Sequence, residues 1–438
     1  APGRYGTRLV ILAILLARGL ILGHESGNEG YLEGYAFTGI HEEMLKDTLR
    51  TEAYRDAIMQ NKRHFEGAVV VDIGCGTGIL SLIAAEAGAR KVYCIEGSSL
   101  AAVTEKIVKK NGKDDTIQVM NMLAEDVELP EGGCDIIVSE WMGYFLLYEN
   151  MLKPVLEFRD RWLKPGGLIF PSKVRLLGAL YSDEDFWKQR MDYWDNMYGY
   201  DFSAVKTMVI REQFQWPERQ HLLPEGLITT AQVLASIDVY EATPETLKDI
   251  RSPFDVRATR SGNAHGAAFW FDATLEATTS VMLDTGPKAG YNHWSQVIWY
   301  FEAPLELYRG QRPQGYFSMV TQEKGTIDVE FYLTFPKRVY KMATDQNPDT
   351  IYQDLHERLV WERNFALREL SPDSRWPKQN SSDGASYTLE GLLETLLEAI
   401  DRWIEAKGTR RRVSALIVLF VFGMITARCQ ISRKAKVD

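Results

Sequence analysis

The chain has 438 residues, 45% of them hydrophobic and 25% charged, with a formal net charge of -10. That length suits two or three domains around a sizeable core, and the composition excludes a chain dominated by disorder. The acidic balance disfavours nonspecific nucleic-acid binding and favours encounter with basic partners.

Residues 1–24 form an apolar N-terminal segment, in which Leu9 to Leu22 is interrupted only by Arg18. From about Glu25 to Pro171, helices and strands alternate. Met44 to Asn61 reads as one helix, Val69 to Ile73 as a buried strand, and Gly78 to Ala87 as an alanine-rich helix. Lys91 to Glu96, Ile117 to Leu123 and Cys134 to Ser139 supply three further strands. Ala101 to Asn111 and Met151 to Trp162 are helices, the second closed by Lys164, Pro165, Gly166 and Gly167. This alternation predicts an α/β domain over 25–171, a doubly wound parallel sheet of Rossmann-like type.

Past Pro171 the pattern changes. Lys173 to Tyr181, Leu227 to Tyr240, Ala267 to Leu275, Trp294 to Glu302 and Thr326 to Phe335 read as strands with longer connections. They predict an antiparallel β-barrel or sandwich over 172–336. Between the first two lies the segment 183–202, dense in aromatic residues, which either packs on its own core or forms an interface. Residues 337–438 read as a C-terminal extension with a polar linker and an amphipathic helix, Leu389 to Ile404. Within it the apolar stretch 413–427 has basic residues on both flanks and is shorter than the ~17–25 residues of a spanning helix. A packed terminal helix or tail is favoured there over a membrane anchor.

Cys75, Cys94, Cys134 and Cys429 include no C-x-x-C pair, and the seven histidines are scattered. Neither a metal site nor a disulfide framework is suggested, so reduced thiols are expected.

Two loops carry chemistry. The first is Asp72-Ile73-Gly74-Cys75-Gly76-Thr77-Gly78, between a buried strand and a helix. Its glycines permit a tight turn and close approach to a ligand, and Glu96 ends the next strand where a carboxylate can accept ribose hydroxyls. Asp72 before the turn suits the cationic end of S-adenosylmethionine (SAM) and disfavours a pyrophosphate. Glu125 follows the third strand, where an adenine amino group could be met.

The second loop runs from Ser139-Glu140-Trp141-Met142-Gly143-Tyr144 to Glu149-Asn150-Met151. It leaves the carboxyl edge of the sheet, where such folds bind substrate. If its turn is a hairpin, Glu140 and Glu149 face each other. Two adjacent carboxylates call for a cation between them, and a planar guanidinium matches.

The segment SEWMGYFLLYENML resembles the double-glutamate loop of the protein arginine methyltransferases. Tyr31-Leu32-Glu33-Gly34-Tyr35, with the following Gly39 to Asp47, is similar to that family's N-terminal signature. Tyr291-Asn292-His293-Trp294 resembles its threonine-histidine-tryptophan loop. The resemblance spans Tyr31 to Phe335. It implies transfer of methyl groups from SAM to arginine nitrogens of proteins. His41, Arg50, Asp72, Gly74, Gly76, Glu96, Glu125 and Met151 would meet the cofactor, Arg50 through the cofactor's carboxylate. Glu140 and Glu149 would bind the guanidinium, and His293 and Trp294 would close the acceptor pocket, with Tyr35 and Met44 on the substrate side. Met44 and Met151 match members that make asymmetric dimethylarginine, and 183–202 matches a dimerisation arm.

A homodimer is therefore expected, acting in cytoplasm or nucleus on arginine-rich proteins such as histones or RNA-binding proteins, without binding nucleic acid directly. Two departures, Leu32 for phenylalanine and Asn292 for threonine, bear on substrate preference and turnover. The rivals are a small-molecule methyltransferase on the same cofactor domain and a catalytically weak scaffold for arginine-rich tails.

Overall fold

The computed structural model of the chain describes residues 37–343, except 131, 214–216, 323–325 and 335–336. Tyr31 to Tyr35, the stretches 9–22 and 413–427, the helix expected at Leu389 to Ile404 and the rest of the extension from 344 lie outside the described residues.

Two helices, α1 (Thr38–Lys46) and α2 (Thr48–Gln60), precede the first sheet. One continuous helix was expected here. The break falls at Asp47, whose carboxylate accepts the Arg50 backbone N–H at 3.0 Å and so caps α2. A single turn, α3 (Lys62–Phe65), leads into β1 (Val69–Ile73), all five residues of which are buried. A β-branched run hidden on both faces is what the centre of a parallel sheet requires.

The chain continues through α4 (Ile79–Glu86), β2 (Lys91–Ile95), α5 (Ala101–Lys110), β3 (Ile117–Met120), β4 (Cys134–Ser139), α6 (Leu152–Trp162) and β5 (Leu163–Phe170). The five strands are parallel in the order β3-β2-β1-β4-β5. Strand order therefore reverses between β1 and β4, and the crevice outside their carboxyl ends is the place for a ligand. Lys164 to Gly167, expected to close the helix, lie inside β5. They make the register irregular there, with Leu163 opposite Cys134 and Leu168 opposite Ile136.

The second half is antiparallel, as expected, and its strands form two sheets. β6 (Lys173–Tyr181) leads to α7 (Glu184–Arg190), α8 (Lys206–Gln213), β7 (Glu218–Gln220), β8 (Gln232–Asp238) and β9 (Asp249–Asp255). β10 (Gly262–Glu276), β11 (Ser280–Asp284), β12 (Gln296–Leu307), β13 (Gln314–Thr321), β14 (Ile327–Thr334) and β15 (Lys337–Ala343) follow. The six-stranded sheet has the order β7-β12-β10-β6-β8 with β11 on β10, and the four-stranded sheet has β15-β14-β13-β9. The strand expected at Leu227 to Tyr240 shortens to β8, while β7, β9, β11, β13 and β15 were not anticipated. In β9, Pro253 hides the strand signal.

Part of the aromatic segment 183–202 packs on the domain and part is exposed. Phe186 stacks on Tyr300 with ring centroids 3.9 Å apart, and Trp187 lies 5.6 Å from the His265 ring. Tyr198 and Tyr200, by contrast, are 94% and 71% exposed. The parallel sheet and most of the antiparallel domain share one apolar core, joined through the double-glutamate loop: the Phe145 ring sits 5.1 Å from Phe269 and 6.0 Å from Phe317.

Candidate active site

Beyond β1 the glycine loop takes a path that side chains resist. Gly74, Gly76 and Gly78 have φ of 71°, 54° and 83°. The N–H groups of Gly74 and Cys75 both donate to the Ile95 carbonyl at 3.0 Å, fastening the loop to the end of β2. Glu96 follows directly. Its carboxylate accepts the N–H of Gly76 at 2.9 Å and of Ser98 at 2.8 Å, which fixes its orientation. A Cβ built on Gly76 would stand 3.4 Å from the His41 ring, and one on Gly74 would stand 3.9 Å from Met151. Four expected cofactor residues are thus gathered around one loop, with Glu96 the fifth.

The expectation of reduced thiols fails at this loop. Cys75 and Cys94 are disulfide-bonded, with Cα atoms 5.4 Å apart. The loop folds back over the end of β2, and this brings together two cysteines whose spacing carries no motif. Cys134 is a buried free thiol, which burial pushes up to about 12.

Asp72 is 1% exposed. One of its oxygens accepts the Ser81 hydroxyl at 2.7 Å, and the other is buried without a partner. Burial pushes its carboxyl up to about 7, against the hydrogen bonds from Ser81. A half-satisfied buried carboxylate beside a glycine loop fits a cationic group. Glu125 lies on the turn Ala124–Asp126, and its side chain is exposed. Arg161 pins that turn by donating to the carbonyls of Ala124 at 2.9 Å and Glu125 at 2.8 Å.

At the end of β4, Glu140 is buried and ion-paired. One oxygen accepts from Arg50 Nε at 3.0 Å and Nη2 at 2.9 Å; the other is buried without a partner. The resemblance assigns Arg50 to the cofactor's carboxylate; in the structure two of its nitrogens pair with Glu140. Tyr54 supports the same corner by donating its hydroxyl to the Ser139 carbonyl at 2.9 Å.

The loop between the two glutamates contains a tight turn. Gly143 and Leu146 exchange two backbone hydrogen bonds of 3.0 Å. Phe145, Leu146, Glu149 and Asn150 all have φ between 55° and 79°, a region non-glycine residues occupy at a cost of about 1–3 kcal/mol each. Packing of Phe145 and Leu146 into the core offsets that cost. Gly143 has a separate reason to be glycine: a Cβ there would stand 1.9 Å from the Tyr148 carbonyl oxygen. Gly143→Ala is therefore expected to displace the segment carrying Glu149 and lower turnover at least about tenfold with the fold retained. Single-turnover assays beside circular dichroism check this, and wild-type turnover would refute it.

From the antiparallel half, Trp294 reaches this loop and His293 reaches the cap of α2. The Trp294 indole donates to the Met142 carbonyl at 2.6 Å and is 3% exposed, so it braces the loop from behind. His293 meets Asp47, with backbone N to Oδ2 at 2.8 Å and ring Nδ1 to Oδ2 at 2.7 Å. Burial raises the Asp47 carboxyl, but hydrogen bonds from the His293 ring and from the Arg50 and His293 backbones outweigh it and hold it below the usual range. Asp47 is the residue the sequence reading missed. Its signal was a helix cap: an acidic residue directly before Thr48. Asn292 is fully buried, its amide nitrogen within 3.3 Å of the Gly290 carbonyl and 3.4 Å of the Thr285 carbonyl. Met44 is half-buried on α1, and Tyr35 lies outside the described residues.

A glycine loop fastened to a glutamate at the end of the second strand, beside a turn flanked by two glutamates, is the arrangement expected of a methyltransferase. Family comparison agrees. Residues 71–170 match a methyltransferase domain, and residues 173–338 match the arginine methyltransferase oligomerization subdomain. The chain is 39% identical over 311 residues to protein arginine N-methyltransferase 1 of Dictyostelium discoideum, covering 71% of this chain and 90% of that one. With protein arginine N-methyltransferase 1 of Schizosaccharomyces pombe it shares 38% identity over 332 residues, 75% of this chain and 94% of the relative.

Among solved structures, the Trypanosoma brucei PRMT1 enzyme-prozyme heterotetrameric complex with AdoHcy superposes with a TM-score of 0.63 at 35% identity, covering 70% of this chain and 98% of that chain. Arabidopsis thaliana protein arginine methyltransferase 10 gives a TM-score of 0.61 at 29% identity, covering 72% and 99%. The chain belongs to the protein arginine N-methyltransferases: it is a SAM-dependent enzyme that methylates arginine side chains of proteins.

Proposed function

We propose that the crevice between β1 and β4 divides into a SAM half and an arginine half. Asp72, Gly74, Gly76, His41 and Met151 surround the methionine end of SAM, Glu96 holds the ribose and Glu125 faces the adenine. When bound, SAM supplies an electrophilic methyl group on a sulfonium. Glu140 and Glu149 receive the substrate guanidinium and fix its plane. The pair draws charge toward one side of a delocalised cation, leaving one terminal nitrogen richer in electrons. Orientation of that nitrogen supplies much of the rate. His293, held by Asp47, closes the pocket beside Arg50, and Trp294 braces the hairpin. The single observation that carries this division is the unpartnered oxygen of Glu140, buried while its twin is held by Arg50.

Met44 and Met151 flank this site and favour monomethyl and asymmetric dimethylarginine as products. The exposed Tyr198 and Tyr200 favour a homodimer, in keeping with the oligomerization subdomain that the chain matches. Arginine-rich proteins of the cytoplasm or nucleus, such as histones or RNA-binding proteins, are the natural substrates for an acidic enzyme of this kind. Among the described residues no helix is long and apolar enough to cross a membrane. Transfer of radiolabelled methyl from SAM to an arginine-rich peptide, followed by fragmentation of the dimethylated product, is the test. Symmetric dimethylarginine as the main product would overturn the reading of the two methionines.

A pH dependence follows from Asp72. Its folded pKa of about 7 lies above the ordinary 3.8, so in the free enzyme it is about half neutral at pH 7 and largely neutral at pH 6. A bound ammonium favours the anion, so SAM binding releases a proton and weakens as pH falls. Affinity is expected to drop up to about tenfold between pH 7.5 and 6, and Asp72→Asn to flatten that slope. Calorimetry across this range checks it; an equal slope in the variant would remove Asp72 from the cofactor's cationic end.

A further inference from the structure

One cation stands at the lip of the acceptor site with no part in the machinery described above. Arg219 lies on β7, the edge strand of the six-stranded sheet, paired opposite Val297 of β12. Its side chain is exposed to solvent, yet it is held in place. The guanidinium carbon sits 4.4 Å from the centroid of the Tyr144 ring, inside the hairpin between the two glutamates. Nη1 donates to the carbonyl of His293 at 3.3 Å. A cation stacked on an aromatic face and tethered to a second loop is not free to swing away.

Its electrostatic surroundings mark the same place. Burial raises the Tyr144 phenol above its usual range; Arg219 opposes that shift, while Glu43 and Glu149 add to it. The phenol thus feels Arg219 and the acceptor glutamate Glu149 together. Neighbouring groups on this rim are His221, whose ring lies 4.9 Å from that of Tyr291, and the half-exposed Tyr148.

We propose that Arg219 is a specificity-determining residue: it selects against a lysine or arginine immediately beside the target arginine and favours a neutral or acidic neighbour. The inference rests on the placement of the acceptor between Glu140 and Glu149. The target's guanidinium enters the buried site and its backbone stays at the lip, where a residue one or two places along the peptide comes within several ångströms of Arg219. Like charges at that range repel, and the acidic enzyme as a whole attracts only the more distant basic residues. The two effects act at different distances. Basic substrates are drawn to the enzyme, while a cation next to the reacting residue is refused.

The experiment uses the full chain and a glycine-rich peptide with one central arginine, into which a single lysine or glutamate is placed at each of the three positions on either side. At one or two positions wild type should prefer glutamate to lysine in kcat/KM by about fivefold or more at low salt, the difference residing mainly in KM. Arg219→Met should collapse that ratio toward one. Arg219→Lys, which keeps the charge, should preserve it, and 0.5 M salt should shrink it in wild type. Overturning results are a ratio unchanged in Arg219→Met, or an equal loss across all peptides, which would make Arg219 a structural brace only. If wild type methylated none of the arginine peptides, the acceptor assignment itself would fall, and this inference with it.

Discussion

Replacing Glu149 with glutamine is expected to cut turnover by about a hundred- to a thousandfold while leaving SAM affinity nearly unchanged. Glutamine keeps the shape and one acceptor but deletes the charge. A guanidinium keeps its proton at neutral pH, so the bound substrate would lose half of its compensation in a site shielded from water. Glu149 is the cleaner of the two acceptor positions to test. It is half-buried on the returning limb of the hairpin, whereas Glu140 also neutralises Arg50. Glu140→Gln should therefore lose both activity and stability, while Glu149→Gln should lose activity alone. Because the two act as a unit, the double change should cost less than the product of the singles. Single-turnover methylation of an arginine peptide, with SAM binding measured separately, decides this. Near-normal turnover of Glu149→Gln would sink the guanidinium clamp.

Much of the site could be read from the sequence because local chemistry repeats there. The run from Val69 to Ile73 has no stable place except the centre of a parallel sheet, and the glycines after it need left-handed φ. Glu96 was legible because a carboxylate at the end of the second strand has one direction to point. Other features depend on contacts between residues distant in the chain. Asp47 and His293 meet across the domain boundary, and nothing in either local pattern announces it. The partnership of Cys75 with Cys94 depends on how far the glycine loop folds back onto β2. Strands β9 and β13 escaped notice because Pro253 interrupts the first and the second opens on Gln314-Gly315 and lacks a regular apolar alternation. Arg219 carried no signal at all: an exposed arginine on a three-residue strand looks like any solvated charge until its contacts with Tyr144 and His293 are seen.

The Arg50–Glu140 pair gives the second large effect, and it separates stability from catalysis. Their side chains are 9% and 7% exposed, and two nitrogens of Arg50 converge on one carboxylate oxygen. Removing one member of a buried pair strands the other charge, a loss of about 3–5 kcal/mol, although replacing both together costs far less. Arg50→Met should therefore destabilise the protein by up to about that amount, since Glu140 would be left in a buried pocket with no cation. Adding Glu140→Gln to that variant should recover a large part of the loss, because the stranded charge disappears. Turnover should not recover with it, because the second change removes a carboxylate assigned to the acceptor site. Denaturant unfolding of wild type, both single variants and the double variant measures the coupling. Independent sites add to within about 0.5 kcal/mol, so additivity on that scale would show that the pair is not coupled. A coupling of a few kcal/mol with turnover still lost would show that Arg50 keeps one oxygen of Glu140 occupied so that the other is aimed at the arginine to be methylated.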